Sequence, residues 1–281
     1  MFKTMTAAAA LFAAAVCGPA FASENAAPAA EHHAAGTAGP TAEEGLARLM
    51  EGNQRFVKGA SVHPGATPER RAGLAGGQKP FAAVLACSDS RVPPEILFDQ
   101  GLGDIFTVRV AGNVAALPEQ GSLEYAAEHL GVPVLMVLGH TGCGAAKAAA
   151  AGGRTEGALG ALLKELEPAV RSAKASGAKG ESLAPEVVEA NVRLTALKLM
   201  KNNAIVRRLS AEGRLKVSAA VYDLATGEVR LLDLEKDLRA ERKAQVAAMR
   251  GLLRKFRDSG LDDLERSRLL SGLGELLPEL N

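Results

Sequence analysis

Two short blocks constrain this chain more than anything else in it: Cys87-Ser88-Asp89-Ser90-Arg91 and His140-Thr141-Gly142-Cys143-Gly144. Each follows an apolar run of strand length, 81–86 and 132–138. Two thiolates and one imidazole form a donor set that suits a tetrahedral Zn²⁺ and leave a fourth position for water. His140 and Cys143 are three apart at a strand end, close enough to share one ion. Cys87 lies 53 residues before His140, so it joins them only where both strands end at the same edge of one sheet. Adjacent parallel strands do so, and open α/β sheets collect their sites at the carboxyl ends of their strands.

The rest of the pattern agrees. Thr41 with Glu44 is a capping box, and Leu46, Leu49, Met50 and Phe56 follow at helical spacing, so an amphipathic helix opens the domain. A Gly- and Pro-containing loop then runs to Pro80. Apolar strands 81–86, 105–110 and 132–138 alternate with helical stretches 94–98 and 122–130, the signature of a parallel sheet covered on both faces. Residues 156–172 and 186–210 read as long helices; 216–224, Ala225-Thr226-Gly227 and 229–234 read as strand, turn and strand. The fold class expected is α/β: a central, mostly parallel β-sheet flanked by helices, with an N-terminal helical arm and a C-terminal helical extension.

Met1-Phe2-Lys3, the apolar run 7–16 and Ala20-Phe21-Ala22 form a signal-peptide pattern over 1–22. That predicts export to the periplasm, with no stable membrane insertion after cleavage. Cys17 suggests a lipid anchor, but Val16 before it suits that processing poorly. Residues 23–40, including His32-His33, read as flexible linker, 41–234 as one catalytic domain, and 235–281 as a charged helical extension. In that extension Val246, Met249, Leu252, Leu253 and Phe256 form one apolar stripe, and Leu261, Leu264, Leu269 and Leu270 a second. Without Lys3 the chain carries 32 basic and 32 acidic side chains, which gives no charge excess for a nucleic-acid partner.

In an oxidising compartment two cysteines also invite a Cys87–Cys143 disulfide. That reading leaves His140, Asp89 and Arg91 without a reason to be where they are. Asp89 has two possible stations: on the ion as its fourth ligand, or paired with Arg91, leaving that position open to hydroxide, whose hydrogen bond its carboxylate can accept. Because two thiolates neutralise the ion, water there should acidify less than on a three-imidazole site, and activity should rise toward alkaline pH. Cys87 as a reactive thiol and a permanently closed, non-catalytic zinc-binding protein are the rival chemistries. Gly101-x-Gly103 is a weak signal for a nucleotide loop, lacking the third glycine and a following phosphate-facing helix.

From about residue 74 to 234 the chain resembles the β-class carbonic anhydrases. The motifs are Ala-Cys-Ser-Asp-Ser-Arg-Val-Pro-Pro-Glu, Gly-Asp-Ile-Phe-Thr-Val-Arg-Val-Ala-Gly-Asn, Ser-Leu-Glu-Tyr-Ala and Val-Leu-Gly-His-Thr-Gly-Cys-Gly-Ala. The resemblance implies reversible hydration of CO₂ to bicarbonate on one Zn²⁺ per subunit, with CS₂ or COS as alternative substrates. It makes Cys87, His140 and Cys143 the metal ligands and Asp89 with Arg91 the gate. It also makes Gln78 the hydrogen-bond partner of substrate, Phe106 and Tyr125 the pocket wall, and Gly144 a backbone donor facing bicarbonate. In the family the glutamine and aromatics come from the neighbouring subunit, which implies a homodimer or larger homo-oligomer. Val84 stands where one subgroup has the tryptophan of an inhibitory bicarbonate site, and the chain has no tryptophan; no such inhibition is expected.

Overall fold

A computed structural model describes residues 39–153 and 155–258, together with Ser267. The signal peptide, Cys17, His32-His33 and the second leucine stripe lie outside the described residues, as do the side chains of Leu252, Leu253 and Phe256. Among the described residues no helix is long and apolar enough to cross a membrane.

Helix α1, Ala42–Val57, begins as the capping box requires: Glu44 N donates to Thr41 Oγ1 at 3.2 Å and Thr41 N to Glu44 Oε2 at 2.7 Å. Its buried face is Gly45, Leu49, Gly52 and Asn53. A Cβ on Gly52 would lie 1.7 Å from the Phe98 carbonyl oxygen, so only glycine lets the helix rest on that backbone. Asn53 Nδ2 then donates to Leu97 O and Gly227 O, and its Oδ1 accepts from Val229 N. A short helix α2, Pro68–Gly73, capped by Thr67, interrupts the segment expected to be loop.

The α/β core follows as β1 (Ala82–Ala86), α3 (Pro94–Leu97) and β2 (Ile105–Arg109). Next come α4 (Leu117–Glu124) with a π-helical turn Tyr125–His129, then β3 (Val134–His140). Helices α5 (Gly144–Ala151), α6 (Gly157–Lys164), α7 (Glu167–Ala175), α8 (Leu183–Asn202) and α9 (Ala204–Ala211) precede β4 (Lys216–Tyr222) and β5 (Val229–Leu232). Helix α10, Leu234–Asp258, closes the described chain.

The long helices expected at 156–172 and 186–210 are each two. Asn203 is extended, φ −87° and ψ 111°, and its Oδ1 accepts from Val206 N at 3.0 Å. A side chain that caps a new helix has ended the old one. The break between α6 and α7 precedes Pro168, which cannot supply the N–H that a continuous helix would need.

The sheet order is β2-β1-β3-β4-β5, with the first four strands parallel and β5 antiparallel to β4. Every residue of β1 and β3 is buried, as a sheet covered on both faces demands. Alternate residues supply opposite layers. Ala83, Leu85, Leu135 and Val137 face α4, α7, α8 and α9, while Val84, Met136 and Leu138 face α1 and α3. Leu85, Leu135 and Leu138 have no exposed surface, and each such side chain contributes roughly 1.5–3 kcal/mol by burial.

The register decides where the chemistry falls. Ala86 pairs with Leu138 and with Arg109, so Cys87 leaves β1 level with the end of β3. Connections leave β1 toward β2 on one side and β3 lies on the other, which makes this edge the topological switch point of the sheet.

Candidate metal centre

Cys87 and Cys143 are free thiols, so the disulfide reading fails. Cys87, His140 and Cys143 are all buried, and their donor atoms lie within 4.8 Å of one another. Each arrives by a different local device. Cys87 is the first residue past β1, and His140 ends β3 with no exposed surface. Cys143 follows a turn in which Gly142 has φ +68°, and it occupies the N-cap of α5. Thr141 fixes that turn: its N–H donates to Tyr222 O at 2.9 Å and its Oγ1 accepts from Leu224 N at 3.0 Å.

The imidazole carries the clearest sign of an intended ligand. His140 Nδ1 lies 2.9 Å from Thr141 O, which places the proton on Nδ1. Nε2 is buried and has no hydrogen-bond partner. A buried ring nitrogen facing two sulfurs without a hydrogen-bond partner is a poor structural element and a good metal donor. The donor set fits zinc.

The two thiols are driven apart in acidity. The hydrogen bond from the Cys143 thiol, aided by the N–H groups of Asp89 and Gly112, outweighs burial and brings Cys87 down to about 4. Cys143 is pushed up, first by donating to Cys87 and then by burial, against the N–H groups of Ala146 and Ala145.

Asp89 stands beside this trio without joining it. Its carboxylate accepts from Arg91 Nε at 2.9 Å, Arg91 Nη2 at 2.7 Å and the Arg91 backbone N–H at 3.0 Å, while Oδ2 lies 3.9 Å from His140 Nε2. The Arg91 side chain holds the Asp89 carboxyl well below the usual range, and His140 adds to this. Arg109, quoted above only as part of a motif, braces the loop: Nε donates to Cys87 O at 3.0 Å and Nη2 to Asp89 O at 2.6 Å.

The structure therefore unites Cys87, Asp89, Arg91, His140 and Cys143. Gly144 opens α5 next to them, exposed, and a Cβ there would meet nothing within 4 Å of this protomer. The other three residues stand elsewhere. Gln78 is exposed in the segment entering the opposite end of β1. Phe106 pairs with Ala83, four residues before Cys87 and so about 13 Å back along the strand. Its ring lies 6.1 Å from that of Tyr125, which is 47% exposed.

A family model described as carbonic anhydrase matches residues 82–229, more than half of the chain. The chain belongs to the β-class carbonic anhydrases. It is thus an enzyme, a lyase. Carbonic anhydrase 2 of Mycobacterium tuberculosis is 41% identical over 186 residues, covering 66% of this chain and 90% of that protein. The carbonic anhydrase of Pseudomonas aeruginosa is 32% identical over 193 residues, covering 66% and 86%. Among solved structures, a tetrameric β-carbonic anhydrase of Sordaria macrospora superposes with a TM-score of 0.56 at 27% identity, covering 67% of this chain and 96% of that one. The β-carbonic anhydrase CafA of Aspergillus fumigatus gives 0.56 at 29% identity, over 71% and 97%. In this carbonic anhydrase the segment matched by the family model holds the whole cluster from Cys87 to Cys143, while α10 lies beyond it.

Sequence reasoning gave no role to Arg109, Gly112 or Asn191. Asn191 had a signal: it is an amide inside the buried stripe Val187, Val188, Val192, Ala196 and Leu199 of α8.

Proposed function

We propose that this enzyme converts CO₂ and water to bicarbonate and a proton on a single zinc ion held by Cys87, His140 and Cys143, with Asp89 and Arg91 as its gate. The observation that carries the reading is the unpartnered Nε2 of His140 among two sulfurs, with the neighbouring carboxylate drawn aside by Arg91. Bound there, zinc supplies a Lewis acid that lowers the pKa of water in its fourth position. Arg91 keeps Asp89 off that position through two parallel hydrogen bonds. Asp89 can then accept a hydrogen bond from the attacking water and aim its lone pair at CO₂. Arg109 holds the Cys87 and Asp89 carbonyls and keeps the loop in this posture.

Gln78, Phe106 and Tyr125 complete the pocket from a neighbouring subunit. Support comes from their placement: Gln78 and Tyr125 are exposed on the protomer, and the Phe106–Tyr125 pair sits far down β2 from its own ligands. Gln78 donates to bicarbonate, the aromatic pair excludes bulk water, and the Gly144 N–H faces the product. A homodimer is the smallest complete unit, and the tetrameric relative supports a homo-oligomer. The pattern over 1–22 supports export, so the enzyme acts in the periplasm as a catalytic domain, 41–234, with a helical extension, 235–281.

Stopped-flow CO₂ hydration from pH 6 to 9, with zinc content measured on the same sample, tests the reading. The expected result is a rate proportional to zinc that rises from neutral to alkaline pH. Full zinc with no hydration at any pH would leave a zinc-holding protein and end the proposal.

A further inference from the structure

The turn after β2 is unusual. Gly112 has φ +70° and Asn113 φ +44°, two left-handed residues in succession, and the second is not glycine. Asparagine enters the left-handed region more readily than other residues with a Cβ, and a fixed partner network holds it there. Asn113 N donates to Val110 O at 3.0 Å, which closes the turn. Glycine suits position 112 because its φ of +70° would strain any L side chain and a Cβ there would sit tightly, 3.1 Å from Ala145 Cβ and 3.2 Å from Leu166 Cδ1.

One face of this turn points into the metal centre. Gly112 N donates to Cys87 Sγ at 3.3 Å. The other is held from α8: Asn191 Nδ2 donates to Gly112 O at 2.8 Å, across 79 residues of sequence. Asn191 is only 5% exposed, on a helix whose buried positions are otherwise apolar except for Thr195. A buried amide in that stripe costs desolvation that an apolar residue would avoid, so its retention calls for a reason beyond packing.

We propose that Asn191 is a positioning residue for the metal centre, acting through Gly112: it fixes the left-handed turn so that the Gly112 N–H stays aimed at the Cys87 sulfur. The inference rests on the zinc reading above. A hydrogen bond to a metal-bound thiolate draws electron density from sulfur, weakens its donation and leaves more positive charge for the remaining ligands. Cys143 receives comparable help from the first N–H groups of α5, whereas Cys87 follows a strand, has no helix N-terminus of its own, and has beside the Gly112 N–H at 3.3 Å only the longer Asp89 N–H at 3.5 Å. Asn191 and Gly112 supply from a distance what the helix supplies to its partner.

The test uses full-length protein reconstituted with Co²⁺, whose thiolate-to-metal charge-transfer bands report the electron density on sulfur. Asn191→Leu removes the donor, and the milder Asn191→Ser keeps a polar group too short to reach Gly112 O. With thermal melting as the folding control, either folded variant should show its charge-transfer band at longer wavelength than wild type, because an unassisted thiolate is easier to oxidise. A wild-type band position in a folded, cobalt-loaded variant would overturn the assignment, since a merely structural asparagine would move the melting temperature and not the band. If wild-type protein takes up cobalt without any thiolate band, the metal reading itself falls.

Discussion

The Asp89 carboxylate and the Arg91 guanidinium, two residues apart, meet side by side through hydrogen bonds of 2.9 and 2.7 Å while the same carboxylate stays 3.9 Å from His140 Nε2. Asp89→Ala should therefore keep its zinc and lose turnover by about 10–100-fold, the usual effect of removing a partner that orients a metal site. Arg91→Ala should act through the opposite fault, releasing Asp89 toward the ion, so that its residual activity is recovered in Asp89→Ala/Arg91→Ala only to the level of Asp89→Ala. Hydration rates with zinc content on all three variants check both statements; an unchanged rate in Asp89→Ala would remove the gate.

Sites built across a subunit boundary can be repaired by mixing. Cys87→Ala and Gln78→Ala should each be poorly active alone. Unfolded together and refolded at equal amounts, they should regain about a quarter of wild-type activity, because half of random dimers are mixed and each mixed dimer has one intact site. No gain on mixing would place Gln78 outside the shared pocket.

The opposed shifts of Cys87 and Cys143 bear on how many protons zinc uptake releases. At pH 7 Cys87, brought down to about 4, is already thiolate, and Cys143, pushed up, is still a thiol. Binding both as thiolates should release about one proton from the pair. Titration calorimetry in buffers of different ionisation enthalpy measures that number, and release of two would contradict the lowered Cys87.

Asp99 anchors α1 from below the sheet. Its fully buried carboxylate accepts from Arg55 Nε at 2.6 Å and from Val62 N and His63 N, with φ +46° at its own backbone. Burial opposes the charge most strongly, yet the Arg55 hydrogen bond and the two N–H donors together outweigh it and keep the carboxyl below its usual range. A lowered folded value means that the stabilisation is complete above the ordinary carboxylate range and fades as pH falls below about 4. Asp99→Asn should cost about 2 kcal/mol at pH 7, and the gap from wild type in urea midpoint should narrow at pH 3.5.

Much of this was open to reading before any coordinates. The strands could be read because each is a short apolar run with a chemical marker at its end, and requiring Cys87 to reach His140 forced β1 and β3 together. Helices α2 and α5 went unread for different reasons. The first is a single capped turn, and the second, Gly144–Ala151, is mostly alanine, which favours helix without marking a buried side. The break at Asn203 was hidden because apolar residues continue on both sides of it. Among site residues, the donors and the gate lie close in sequence and announce themselves. Arg109 and Asn191 act on backbone atoms 22 and 79 residues away, a relation that only the folded chain contains.

The donors of the centre come from the tips of two neighbouring strands, with His140 53 positions after Cys87 in the chain. An ion seated there is also a clasp, closing that length of polypeptide into a ring and lashing β1 to β3 at their open edge. Stripping it would loosen the very rim on which Asp89, Arg91 and Gly112 are mounted, so that chelation reaches the scaffold as well as the chemistry.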